Sequence, residues 1–290
     1  MTLIRNIFIN PAEHRLRSGW RVLVQFILLL VLTSLLASLF LGLASLSAAL
    51  GFLSDFTFVG FAGTTLSIVI ARRWLDCKSV RSLGLDLNAA VAKDVLAGIV
   101  IAGIVMAVIF LAEWALGWLD FQGFAQPANN LDLFMGLGYW ALAFLLVGFY
   151  EELLSRGYML QNLAEGAGMA WAVFISSAIF GLLHLGNPGA SWAATLGILG
   201  AGYFLAYGYL RTHQLWLPIG LHIGWNFFEG PIFSFPVSGL ETVHLINHHV
   251  SGPVLFTGGE FGPEAGLIVL PGMLVGALLI RLYTRNRQGT

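Results

Sequence analysis

From Val22 to Leu50 the chain runs without one charged residue, and uncharged or nearly uncharged runs recur along its length. A hydrocarbon core about 30 Å thick is crossed by about 20 apolar residues in a helix, which satisfies its own backbone polar groups there. Runs of that kind mark eight expected spans: Val22 to Leu50, Phe52 to Ala71, Val95 to Leu119, Leu131 to Tyr158, Met169 to Leu185, Ser191 to Leu210, Leu215 to Phe233 and Ala265 to Leu282. Composition agrees: 58% of the 290 residues are hydrophobic and 10% charged, with a mean hydropathy of +0.82, outside the range of soluble domains of this size. The chain reads as one all-α integral membrane domain over residues 1–290, a polytopic transmembrane helix bundle of about eight spans.

The basic residues test that count independently. With both termini on the cytoplasmic side, all 14 lysines and arginines fall on that side. Arg5, Arg15, Arg17 and Arg21 precede the first span, and Arg72, Arg73, Lys78, Arg81 and Lys93 fill the loop after the second. Arg156 ends the fourth span, Arg211 follows the sixth, and Arg281, Arg285 and Arg287 close the chain. The opposite loops carry none, which is the positive-inside pattern and implies an integral protein of the cell membrane. The first apolar run is too long for a signal h-region and reads as a span.

Several function classes find no support. The single Cys77 excludes an intramolecular disulfide framework, and no Gly-rich phosphate loop, paired CxxC or basic soluble domain points to nucleotide or nucleic acid. The longest outer connection, Gly230 to Glu264, is rich in proline and glycine and is expected to be irregular or strand-like, folding back over the bundle mouth. Its His244, His248 and His249 are expected to be unliganded.

Ionisable groups at membrane depth are costly and mark functional sites by default. Three apolar segments carry them: Tyr150 to Tyr158 with Glu151, Glu152 and Arg156; Phe180 to Asn187 with His184; and Leu221 to Gly230 with His222 and Asn226. Glu152 and Arg156 are four apart and share a helical face, so the pair makes burial tolerable, while Glu151 projects about 100° away. Taken alone, EExxxR also fits a structural ion pair. Glu151 lies 15 residues before Gly166 and His184 lies 18 after it. In an antiparallel hairpin their depths differ by only about 4 to 5 Å, so they are expected to meet, with Phe180 packing beside His184. His222 and Asn226 are again four apart and suit stabilisation of a developing oxyanion, or else plain helix–helix hydrogen bonding. Glu229 follows on that face near the outer end, where a solvated role is expected.

EELLSRG, FGLLH and HIGWN, in that order, resemble the EExxxR, FxxxH and HxxxN motifs of the CPBP intramembrane endopeptidases, the family of type II CAAX prenyl proteases and bacterial Abi or bacteriocin-processing proteins. The resemblance covers roughly Phe144 to Glu229, the motif core. It implies peptide-bond hydrolysis inside a membrane cavity, with Glu151 as the base that activates water, His184 assisting, Glu152 and Arg156 as the supporting pair, and His222 with Asn226 binding the oxyanion. The implied partner is a hydrophobic or lipidated peptide or protein within the lipid bilayer.

Two alternatives remain. A non-catalytic transporter or immunity-type binding protein would also bury ionisable groups, although the halves show no repeat of the kind many transporters carry. A zinc protease with Glu151, His184 and His222 as ligands would also hydrolyse peptides, but HExxH is missing and the ligands would come from three helices. Asn226 one turn from His222 favours hydrogen-bond donation over coordination, so no metal or other cofactor is expected.

Overall fold

A computed structural model describes residues 6–126 and 129–287. The chain divides into two compact units, Met1–Asp86 with Leu146–Ser176, and Leu87–Leu145 with Ser177–Thr290.

The first unit opens with a minimal antiparallel pair, β1 (Ile9–Asn10) and β2 (Arg15–Leu16), then α1 (Ser18–Leu46). A 3-10 segment, Ala48–Ser54, leads to α2 (Phe56–Ile70), which begins where the Asp55 carboxylate accepts the Thr57 N–H at 2.8 Å. Helices α1 and α2 pack so closely that a Cβ on Gly63 would lie 2.4 Å from Thr33 Oγ1. The helix continues as a π-helix, Ala71–Leu75, and a 3-10 turn, Val80–Leu83. The unit also takes the end of α4 (Asn130–Glu152), a second π-helix (Leu153–Met159), α5 (Leu160–Ala167) and the start of α6 (Met169–Leu183).

A buried ion network holds these pieces. Asp76 accepts from Arg21 at 2.9 Å, Arg72 at 2.8 Å, Tyr158 at 3.3 Å and Asn162 at 3.2 Å. Glu165 joins it through Arg21 at 2.6 Å and Arg15 at 3.1 Å, and through Lys78. Arginines flanking the apolar runs thus close the unit instead of standing in water as loop charges.

In the second unit α3 (Val91–Ala115) and α8 (Trp216–Phe227) form the tightest crossing. A Cβ on Gly98 would meet Leu221 N at 2.4 Å, and one on Gly220 would meet Val95 O at 2.2 Å, so glycine permits the backbone contact. Around it α7 (Trp192–Thr212) and α10 (Val269–Tyr283) complete a core of Val105, Met106, Ile109, Phe204, Leu221 and Trp225, among others. A third π-helix, Phe228–Ile232, extends α8. The outer segments pair as β3 (Leu119–Phe124) antiparallel to β4 (Ile246–Val250), with an irregularity between Phe121 and Gly123. The long outer loop therefore contributes a strand, and after it a short α-helix, α9 (Val254–Thr257), and the 3-10 turns Gly259–Phe261 and Pro263–Ala265.

The all-α membrane bundle stands. Among the described residues, five helical stretches are long and apolar enough to cross a bilayer: Ser18–Leu46, Val91–Ala115, Asn130–Ala167, Met169–Gly186 and Trp192–Thr212. The other three runs yield shorter α-helices of 15, 12 and 15 residues, because Asp55 starts α2 late, α8 gives way to a π-turn containing Pro231, and α10 begins only at Val269.

Candidate active site

In the first unit α4 ends at Glu152 and the chain widens into the π-helix Leu153–Met159, all seven residues of which are buried. Short π-turns inside α-helices are rare and concentrate at functional sites. Arg156 Nη1 donates to Glu152 Oε1 at 2.6 Å, with the two side chains 1% and 0% exposed. The expected pair is present. A charge-assisted bond this short compensates burial that neither partner would tolerate alone. Glu151 is half-buried and lies within electrostatic reach of Tyr150 and Arg156. The same π-turn is anchored by Tyr158 and, one turn on, Asn162, both on Asp76.

In the second unit the histidines gather on Phe180. Its ring centroid lies 4.8 Å from that of His184 and 6.1 Å from that of His222, the latter edge-on. Helix α6 stops at Leu183, so His184 begins a 3-10 turn, His184–Gly186, that closes this apolar stretch. Its Nδ1–H donates to the Phe180 carbonyl at 2.8 Å, which in the neutral ring leaves the lone pair on Nε2. His222 and Asn226 are both buried on α8, 6% and 7% exposed, one turn apart.

Three residues that the motifs do not flag join this region. Trp225 Nε1 donates to Glu264 Oε1 at 2.9 Å, and Ser238 Oγ donates to Glu264 Oε2 at 2.5 Å. Glu264 itself is buried and within electrostatic reach of His184 and His222. The available signal was an acidic residue at the edge of an apolar run in a chain with few acids. Glu229 corrects an expectation: it is fully buried within the π-helix, not solvated, and neither of its oxygens has a hydrogen-bond partner among the described residues. Trp225 lies close to it as well, but the indole bond is made to Glu264.

Of the outer histidines, His248 and His249 sit on β4 and His244 just before it. His248 Nε2–H donates to the Phe233 carbonyl at 2.8 Å, and its ring packs on Phe235 and Phe110. A cavity of about 500 Å³ lies beside them, lined by Gln122, Ser234, Glu241, His244, Asn247 and His248 among others. Among the described residues no three His, Cys, Asp or Glu side chains are gathered closely enough to hold a metal ion.

Buried ion pairs and long apolar helices define an all-α integral membrane protein. Residues 133–228 match the family described as type II CAAX prenyl endopeptidase, Rce1-like, so over that stretch the chain is similar to that protease family. The matched stretch contains Glu151, Glu152, Arg156, His184, His222 and Asn226. No curated protein and no solved structure matches the chain.

Proposed function

We propose that the protein is an intramembrane endopeptidase that hydrolyses a peptide bond with water activated by Glu151. The observation that carries this reading is the family match, whose span encloses all six side chains that the chemistry needs. Glu151 takes a proton from water as the oxygen attacks the scissile carbonyl carbon, with Nε2 of His184 accepting a second hydrogen bond from that water. The carbonyl oxygen becomes an oxyanion held by His222 and Asn226. As the C–N bond breaks, the proton on Glu151 passes to the leaving amine, giving a carboxylic acid and an amine, between which the remaining proton of the water then equilibrates. Glu152 and Arg156 hold the π-turn that aims Glu151. The reaction needs no metal in this scheme, and neither a transporter nor a binding protein would release product.

The substrate class is a hydrophobic or lipidated peptide that reaches the site from the bilayer. One-sided placement of the lysines and arginines supports cytoplasmic termini and residence in the cell membrane. The test is peptide release by the purified protein in liposomes, with and without a strong chelator. Glu151→Gln is expected to cut turnover by about 10⁴-fold, the upper end for loss of a general base, and to leave the protein folded. Near-full activity of that variant would remove Glu151 from the role of base. Loss of activity on chelation, restored by about one equivalent of zinc, would replace the scheme with a three-ligand zinc site at Glu151, His184 and His222.

A further inference from the structure

The two histidine-bearing elements of the second unit are joined by a chain of hydrogen bonds made by residues that no motif position specifies. At one end Asn187, three residues after His184 and just beyond its 3-10 turn, donates through Nδ2 to the Ser238 carbonyl at 3.1 Å. Ser238 then donates through Oγ to Glu264 Oε2 at 2.5 Å. At the other end Trp225, between His222 and Asn226 on α8, donates through Nε1 to Glu264 Oε1 at 2.9 Å. Glu264 is 4% exposed and Ser238 9%, so water competes little for these bonds.

Backbone contacts fix the frame around that chain. A Cβ on Gly197 of α7 would lie 1.8 Å from the Glu264 carbonyl oxygen, and one on Gly239 would lie 1.9 Å from Pro188 O. Gly239 N–H also donates to Phe261 O at 2.9 Å. The outer loop is thus pressed against both the turn that follows His184 and the helix beside Glu264.

We propose that Glu264 is a positioning residue: together with Ser238 it straps the His184 turn to the His222 helix and so sets how the two imidazoles and Asn226 face a substrate. This rests on the endopeptidase reading. The physical reason is that Trp225 projects from α8 about 60° from His222 around the helix axis, so a bond on its indole fixes the rotation of the helix and with it the aim of His222 and Asn226. A misplacement of about 1 Å at such groups costs about 10²-fold in rate.

The test pairs kinetics with a readout that does not require activity. Glu264→Ala and Trp225→Phe are each expected to lower kcat by about 10²-fold with KM changed less than about twofold, and the double variant to be no worse than the poorer single. Glu264→Gln, which keeps an acceptor for the indole, is expected to recover most of the Glu264→Ala loss. Independently, the ring ¹⁵N resonances of His184 and His222 should move in Glu264→Ala and Trp225→Phe, and stay in place in Glu241→Ala, a change in the exposed part of the outer loop. Additive kinetic defects, a pure KM effect or unmoved histidine resonances in Glu264→Ala would each overturn the proposal. If Glu264→Ala does not fold, the milder Trp225→Phe carries the same readouts. If the wild type releases no peptide, the endopeptidase reading fails by itself, and the resonances still decide whether Glu264 positions the histidines.

Discussion

Asp76 in the first unit and Glu229 in the second are both carboxyls withdrawn from solvent. Asp76 accepts from two arginines, a phenol and an amide, whereas neither oxygen of Glu229 has a hydrogen-bond partner among the described residues. Glu113, on α3, is buried in the same partnerless way. Glu264 lies between the extremes, held by an indole and a hydroxyl, both neutral donors. In the first unit burial is made tolerable by opposite charge, and the carboxylates act as mortar. In the second, Asp94 pairs with Arg287 at 2.7 Å, but Glu113, Glu229 and Glu264 have no lysine or arginine partner among the described residues, which suits groups that tune or aim a site more than groups that bind the fold together.

That contrast breaks first at Asp76. Asp76→Ala leaves Arg72 buried without its carboxylate and is expected to cost about 3 to 5 kcal/mol, read as a lower unfolding temperature in detergent. An unchanged transition would mean that the network is ornamental. In the second unit, Asn226→Ala is expected to lower kcat by about 10² to 10³ with little change in KM and a preserved melting temperature, since the bond strengthens only as charge develops on the oxyanion. A pure KM effect would move Asn226 to substrate binding.

Glu113→Met sharpens the comparison with the opposite sign. Replacing a buried carboxyl that has no hydrogen-bond partner among the described residues with an apolar side chain of similar size is expected to stabilise by about 1 kcal/mol, seen as a raised unfolding temperature. A marked loss of stability would reveal a partner for Glu113 in the membrane. The smallest effect is at His248 on β4. Burial holds its imidazole below the ordinary 6.5, with the neighbouring His244 and His249 acting in the same direction against the Phe233 and Ser234 backbone. The folded state therefore prefers the neutral ring. Its stabilising contribution is complete above about pH 6.5 and declines as the pH falls below that, because the unfolded chain protonates first. Amide exchange in β4, corrected for intrinsic rates, should quicken on acidification in the wild type and much less in His248→Leu; equal responses would count against this assignment.

What the sequence disclosed and what it hid follow from range. Helices α1, α3 and α7 were legible because long uncharged runs have few other ways to cover their backbone, and the Glu152–Arg156 pair because four-residue spacing is a local matter. The burial of Glu229 was not, since it depends on what an irregular loop does after Pro231. Glu264 was hidden for the same reason: it lies 38 positions beyond Asn226, and only the return of the outer loop brings its carboxyl to Trp225. The π-turn at Leu153–Met159 escaped because a shift in helical phase leaves no mark on a stretch that is buried on every side. Leu153 to Met159 is buried all round, so no amphipathic stripe was there to be displaced.

The π-turn at Leu153–Met159 also makes chain length a heritable property of this site. A turn closed from i to i+5 holds one residue more than the α-turn it replaces, so everything beyond it is set about 100° short of where a regular helix would place it around the axis. Deleting one residue of the segment would restore an unbroken α-helix while removing little apolar surface. It would also swing Asn162 and Glu165 away from Asp76 and Arg21, which no single substitution in the segment does. Lineages of this sequence should therefore tolerate exchanges of one apolar residue for another between Glu152 and Leu160 far better than gaps.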